Sequence, residues 1–198
     1  MSKLVHVLLI LTFVAGGTLP AVSLRAAPAQ PAPANQPKIA GAKFADDGQL
    51  QRPTNYRNWR FVTAGLGMSY GPAALAALRT GHVMFDNVFV QSEAYDAFLR
   101  DGVWPEGTMF VLELRGALTK RAPNNSGHFQ DNLHGVEVSI KDSSRFKGRW
   151  AYFDFGMTTQ SATPQPESDC YACHQQNGAV DMTFVQFYPT LRMPGSKY

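Results

Sequence analysis

Cysteine is scarce in this sequence: Cys170 and Cys173 are the only two among 198 residues. There is no second cysteine pair with which they could complete a four-thiolate metal site. Acidic residues are missing from the N-terminal side, with none before Asp46. Lys3 and Arg25 lie in a segment expected to be removed, which lowers the formal charge from +3 to about +1. So weak a charge is no footprint for nucleic acid or an anionic membrane. No nucleophile elbow, phosphate-binding glycine loop or H-E-x-x-H motif occurs. No internal repeat is present, and nothing after the first Pro-rich stretch reads as a second linker.

What is present starts with an export pattern. Lys3 supplies a positive start, and the run from Leu4 to Ala15 is apolar apart from His6 and Thr12. Gly16, Gly17 and Pro20 follow, then small residues suited to cleavage around Ala21–Ser23 and Ala27–Ala29. The apolar run is short for a bilayer span. The expectation is a signal peptide over 1–29, a periplasmic product and no stable membrane anchor. Residues 30–43 are rich in Ala and Pro and read as a linker. A single domain is expected over 44–194.

That domain is rich in aromatics, with 13 Phe, 7 Tyr and 3 Trp. Five segments have the composition of strands: 59–64, 84–90, 108–114, 135–140 and 150–155. In the fourth, Val136, Val138 and Ile140 alternate with Glu137 and Ser139, so one face should be buried and the other wet. Ser92–Arg100 reads as a helix with Ser92 as N-cap, a stripe of Tyr95, Phe98 and Leu99, and Gly102 as its stop. A short helix is expected at 72–78, and a helical turn or two between 168 and 178. Short turns between most strands favour an antiparallel sheet, and the fold class is α+β.

Residues 170–174 read Cys-Tyr-Ala-Cys-His, the C-x-x-C-H pattern of c-type haem attachment. On a helical turn, residues three apart share a face. Two thiols so placed can form thioethers with one haem, and His174 then reaches the iron as axial ligand. Export agrees with this chemistry, because haem c is attached outside the cytoplasm. Two other readings compete. Cys170 and Cys173 could form a disulfide or a thioredoxin-like redox pair. They could also bind zinc with His174 and one of His82, His128 or His134.

The surrounding residues resemble the cytochrome P460 family, which includes the cytochrome c-prime-beta branch. The resemblance is carried by Asn55-Tyr56-Arg57-Asn58-Trp59, Phe85 to Val90, Gly107-Thr108, Lys141 to Phe146, Trp150 to Phe153, and Cys170 to Pro189. It implies a sheet-rich fold with one covalent haem c, five-coordinate through His174, with an open distal side. It also implies binding, detoxification or transformation of nitric oxide or a related nitrogen species, with a redox partner cytochrome and a homodimer as further expectations. Members that oxidise hydroxylamine have a lysine bonded to the porphyrin; the matching position here is Leu112. Lys120 is eight residues downstream. The gas-binding branch, which lacks that bond, is the nearer comparison. Hydroxylamine or nitric oxide oxidation and simple electron transfer are the alternatives.

If Leu112 faces the haem, strand period puts Phe110 on the same face as a candidate distal wall. Phe85 and Phe89 on the preceding strand are further candidates. Phe184 and Phe187 are expected beside the haem or in the core. For a sixth ligand, Met68, Met84, Met109, Met157, Met182 and Met193 are available, as are His82, His128 and His134, and no pattern selects one.

Overall fold

The computed structural model describes residues 38–70, 79, 81–119, 122–123 and 125–191. The expected helix at 72–78, Lys120, Met193 and the 1–29 segment lie outside these. Seven strands and two helices are described: β1 (Leu50–Gln51), β2 (Arg60–Leu66), β3 (Met84–Val90), α1 (Ser92–Asp101), β4 (Met109–Thr119), β5 (His128–Lys141), β6 (Trp150–Asp154), β7 (Ser161–Ala162) and α2 (Ala172–Asn177). Strands β2 to β6 form a five-stranded antiparallel sheet in sequence order, and β1 pairs with β7. This is the α+β class expected.

The pleat sorts each strand's residues onto two faces. Val111 lies opposite Phe89 and Val138, while Leu112 lies opposite Val88 and Glu137. The first face buries Met109, Val111, Val136, Val138, Ile140, Ala151 and Phe153 under Leu50 and Ala162 of the small sheet. The second buries Val90, Phe110, Trp150 and Tyr152. Ala94 of α1 and Val185, Tyr188 and Leu191 of the C-terminal segment cover it. Glu137 and Ser139, expected in water, are only half-exposed for that reason.

Helix α1 ends where expected: Gly102 adopts φ 71 and donates its N–H to the Phe98 carbonyl at 2.8 Å. Its N-cap is Gln91, not Ser92. The Gln91 amide instead joins the segments around it, accepting from Met109 N–H at 2.7 Å and donating to the Ala40 carbonyl at 3.3 Å. Residues 38–43, read as linker, are docked. Ile39 N–H donates to the Glu106 carbonyl at 2.7 Å, and Lys38 pairs with Asp142 at 3.0 Å. Gly107 (φ 82) is needed there, because a Cβ would collide with the Ile39 carbonyl.

Strands β4 and β5 run further than expected, to Thr119 and back from His128. His128, read as a loop residue, starts β5. This ribbon projects past β3, whose pairing with β4 reaches only Gly116. Backbone hydrogen bonds hold it, with Gln130 of β5 exchanging two amide hydrogen bonds with Asn87 of β3 at 2.8 and 2.9 Å. No described helix is long and apolar enough to cross a membrane.

Candidate functional site

The Cys pair sits where the chain crosses the second face. Pro166 is extended, and Glu167–Tyr171 forms a wide helical turn broken at Asp169 (φ −96, ψ −106). Tyr171 anchors this turn. Its ring fills the space a Cβ on residue 148 would take, which is why glycine stands there, and it meets Tyr152 edge-on at 6.4 Å. Helix α2 then carries Cys173 and His174, with Cys170 on the turn before it. Gly178 closes the helix, donating to the His174 carbonyl at 2.9 Å; a Cβ would meet that oxygen at 2.7 Å.

The His174 ring is clamped between Tyr152 (4.6 Å between centroids) and Phe184 (4.5 Å). Its Nδ1 lies 2.8 Å from the Met182 carbonyl oxygen. A carbonyl only accepts, so Nδ1 carries the hydrogen and Nε2 keeps its lone pair. Burial lowers the imidazole's pKa, against the opposing hydrogen bond to Met182. The ring is therefore neutral at pH 7, the form that ligates metals.

Cys170 is half-buried and Cys173 exposed, both as free thiols. Burial, then Glu137 and Asp169, raises the Cys170 pKa. A nucleophilic or redox cysteine needs the reverse environment, electropositive and acid-strengthening. That environment does not favour Cys170 as the attacking thiol of a redox pair. Among the described residues no three His, Cys, Asp or Glu side chains converge to hold a metal ion.

The donor set fits a covalently held haem. Two thiols flank one helical turn, a neutral imidazole is fixed with Nε2 free, and the Tyr152 hydroxyl is buried beside it without a hydrogen-bond partner. A buried hydroxyl without a partner is costly unless something arrives to meet it.

Two carboxyls face the same side. Registers place Glu137 beside Leu112 and Asp154, and Asp86 beside Leu114 and Gly65. No hydrogen bond to either carboxyl is found among the described residues. Burial, then Asp154 and Asp86, pushes Glu137 up to about 7. Burial alone pushes Asp86 up to about 6. Tyr70 brings its hydroxyl within electrostatic reach of Asp86, Glu137 and Cys173. Sequence reasoning missed this pair. The alternation in 135–140 marked Glu137's face, but nothing local showed that the C-terminal segment would return over it.

The other expected residues separate. Phe110 and Leu112 share the second face, as strand period requires. Leu112 is half-buried. Phe110 is 5% exposed and locked among Trp104, Trp150 and Tyr188, so it belongs to the core bordering the site. Phe85 and Phe89 need correcting: they point to the first face, because β3 pairs Val88, not Phe89, with Leu112. Phe89 packs on Tyr56 and Phe61 instead. Phe184 lies beside His174, whereas Phe187 is largely exposed. Among the methionines, Met109 is buried in the first face's core and Met157 is exposed. Met182 lies on His174's own side.

A family model described as cytochrome P460 matches residues 53–185. That span holds the whole five-stranded sheet, the Cys pair and His174. No curated protein matches the chain.

Proposed function

The chain belongs to the cytochrome P460 family, which implies haem binding, and on that premise we propose an exported c-type monohaem protein that binds nitric oxide or a related small nitrogen species. The observation that carries this is the fixed His174 ring, its Nδ1 committed to Met182 and its Nε2 free, one turn from two free thiols. When bound, the haem iron supplies a coordination position for a small ligand and a one-electron couple.

The chain's own residues do the rest. Cys170 and Cys173 would hold the group to the turn through thioethers, a linkage whose formation from thiol and vinyl needs no oxidant. His174 offers the Nε2 lone pair, and Tyr152 and Phe184 stop its ring from rotating. Leu112 and Val88 present an apolar patch that favours a neutral diatomic over water. Leucine at 112 has no amine with which to bond a porphyrin, so the tuning implied for the hydroxylamine-oxidising relatives is lost at that position.

A second reading, oxidation of hydroxylamine or nitric oxide, is favoured by Glu137 and Asp86. Both are poised to take up protons near neutral pH, and such oxidations release protons.

The test is the ferric and ferrous absorption spectrum of protein matured in a host that attaches haem c, with a haem-stained denaturing gel. Covalent haem with a high-spin ferrous spectrum that shifts on adding nitric oxide supports the first reading. A strongly red-shifted ferrous band, or haem reduction on adding hydroxylamine, moves the oxidase reading ahead. A ferrous haem already saturated by a protein ligand would make the chain an electron carrier.

A further inference from the structure

The loop after α2 holds the strained backbone nearest His174. Asp181 (φ 46) and Met182 (φ 62) are consecutive non-glycine residues in the left-handed region. Side chains with a Cβ resist that conformation, and it persists only where the surroundings over-determine it.

The surroundings here are a buried cluster of charge. Asp181 is 7% exposed. Its Oδ2 accepts from Lys141 Nζ at 2.5 Å, and its Oδ1 lies 3.0 Å from the Arg149 guanidinium. Trp150 Nε1 adds a long contact to Oδ1 at 3.5 Å. Lys141 is 1% exposed and also donates to the Trp104 carbonyl at 2.6 Å. On the other side of the turn, Trp104 Nε1 donates to Thr183 Oγ1 at 2.8 Å, and Thr183 Oγ1 donates to the Val180 carbonyl at 2.7 Å. The two residues in the left-handed region are thus pinned at both ends to β5, β6 and the segment after α1. Their product is the direction of one carbonyl, that of Met182, which receives the His174 Nδ1 hydrogen.

Packing alone gives no reason for this arrangement. A buried ion pair adds little stability over apolar residues of the same size. What ion pairs with fixed hydrogen bonds do supply is a unique geometry. We propose that the Lys141–Asp181–Arg149 cluster is the positioning device for His174: it holds the Asp181–Met182 turn so that Met182 fixes the histidine's tautomer and ring angle. Asp181 and Lys141 are positioning residues in this scheme, acting through the Met182 backbone. The inference rests on reading His174 as the axial ligand, where a hydrogen-bonded outer partner sets ring orientation and basicity.

The tautomer can be read without haem. In full-length protein produced without attachment, long-range proton–nitrogen NMR of His174 should show the Nδ1–H form. Asp181→Asn keeps the size and removes the charge; the Nδ1–H to Nε2–H ratio should fall roughly tenfold, as expected when one aligned hydrogen bond is lost. Arg149→Gln, at a partner one-third exposed, is the second variant should Asp181→Asn fail to fold, and it should shift the ratio in the same direction. Glu113→Gln, which breaks the buried cluster on the other face, should leave the ratio unchanged. In haem-loaded protein, Asp181→Asn should lower the ferrous iron–histidine stretching frequency, because His174 becomes a weaker donor. A folded Asp181→Asn or Arg149→Gln with the wild-type ratio overturns the proposal, as does a wild type in the Nε2–H form. Failure of the wild type to take up haem would sink the functional reading alone, since the NMR result stands apart from it.

Discussion

Glu113 and Glu137 sit on neighbouring strands, one register step apart, and meet opposite fates. Glu113 lies opposite Val136, and Glu137 opposite Leu112. That single step sends one carboxyl to the first face and the other to the second. Glu113 is 3% exposed. It accepts from the Tyr56 hydroxyl at 2.5 Å, Arg57 Nε at 2.8 Å and Arg115 Nε at 2.7 Å. Burial works against its charge, but these partners outweigh burial and hold its pKa below the usual range. Glu137 has no such partners among the described residues, and burial pushes it up to about 7. The first face is chemically closed. Among the described residues, the second keeps two carboxyls, the Tyr152 hydroxyl and an imidazole nitrogen without hydrogen-bond partners, as a surface does when something else is to occupy it.

The strongest way to test that contrast is to remove the thiols. Replacing Cys170 and Cys173 together by Ala should abolish all haem stain on a denaturing gel. The same change should leave the first face intact, read as an unaltered urea midpoint of haem-free protein. The converse experiment is Glu113→Gln. It leaves Arg57 and Arg115, both partly exposed, without their charged partner and should cost about 2 kcal/mol in urea unfolding. Haem attachment and ferrous spectrum should be unchanged; a spectral shift would mean that the two faces are coupled.

A smaller effect should follow pH. Glu137 has a folded-state pKa of about 7 against an ordinary 4.5, so the folded protein holds its proton more tightly than the unfolded chain. Stability is therefore full below about pH 4.5 and is lost as pH rises through 7. In haem-free protein, Glu137→Gln should recover up to about 3 kcal/mol at pH 8 and nothing at pH 4. Equal gains at both pH values would show that the carboxyl is not the cause. Least of all should be Tyr152→Phe. It deletes an unsatisfied hydroxyl, so haem-free stability should change by less than about 1 kcal/mol or rise slightly. A larger loss would reveal a partner for that hydroxyl.

Much of the fold was legible because its signals are local. Val, Phe, Tyr and Trp runs marked all five strands of the large sheet, and Gly102 marked the end of α1. The β4–β5 ribbon was not legible beyond Leu114 and before Gly135. Its stability comes from cross-strand hydrogen bonds, which leave no apolar period to read. The Gln91 N-cap was missed for a related reason: its amide serves Met109 and Ala40, residues far away in sequence.

The site divides along the same line. C-x-x-C-H is a contiguous pattern whose chemistry follows from three-residue spacing on one turn, so Cys170, Cys173 and His174 could be proposed without a structure. Strand period alone put Phe110 and Leu112 on one face. Which face Phe85 and Phe89 occupy depends on the pairing of β3 with β4, and pairing is a tertiary fact: one residue of register reverses every side chain. The partners of His174 came from still further away, with Tyr152 on β6, Met182 in the following loop, and the Lys141–Asp181 pair joining β5 to that loop. The sequence by itself determined the proposed cofactor chemistry, because that chemistry needs only neighbouring residues. The tertiary structure alone decided which nitrogen of His174 is free and which carboxyls stay unpaired, because burial and hydrogen bonding arise only where distant segments meet.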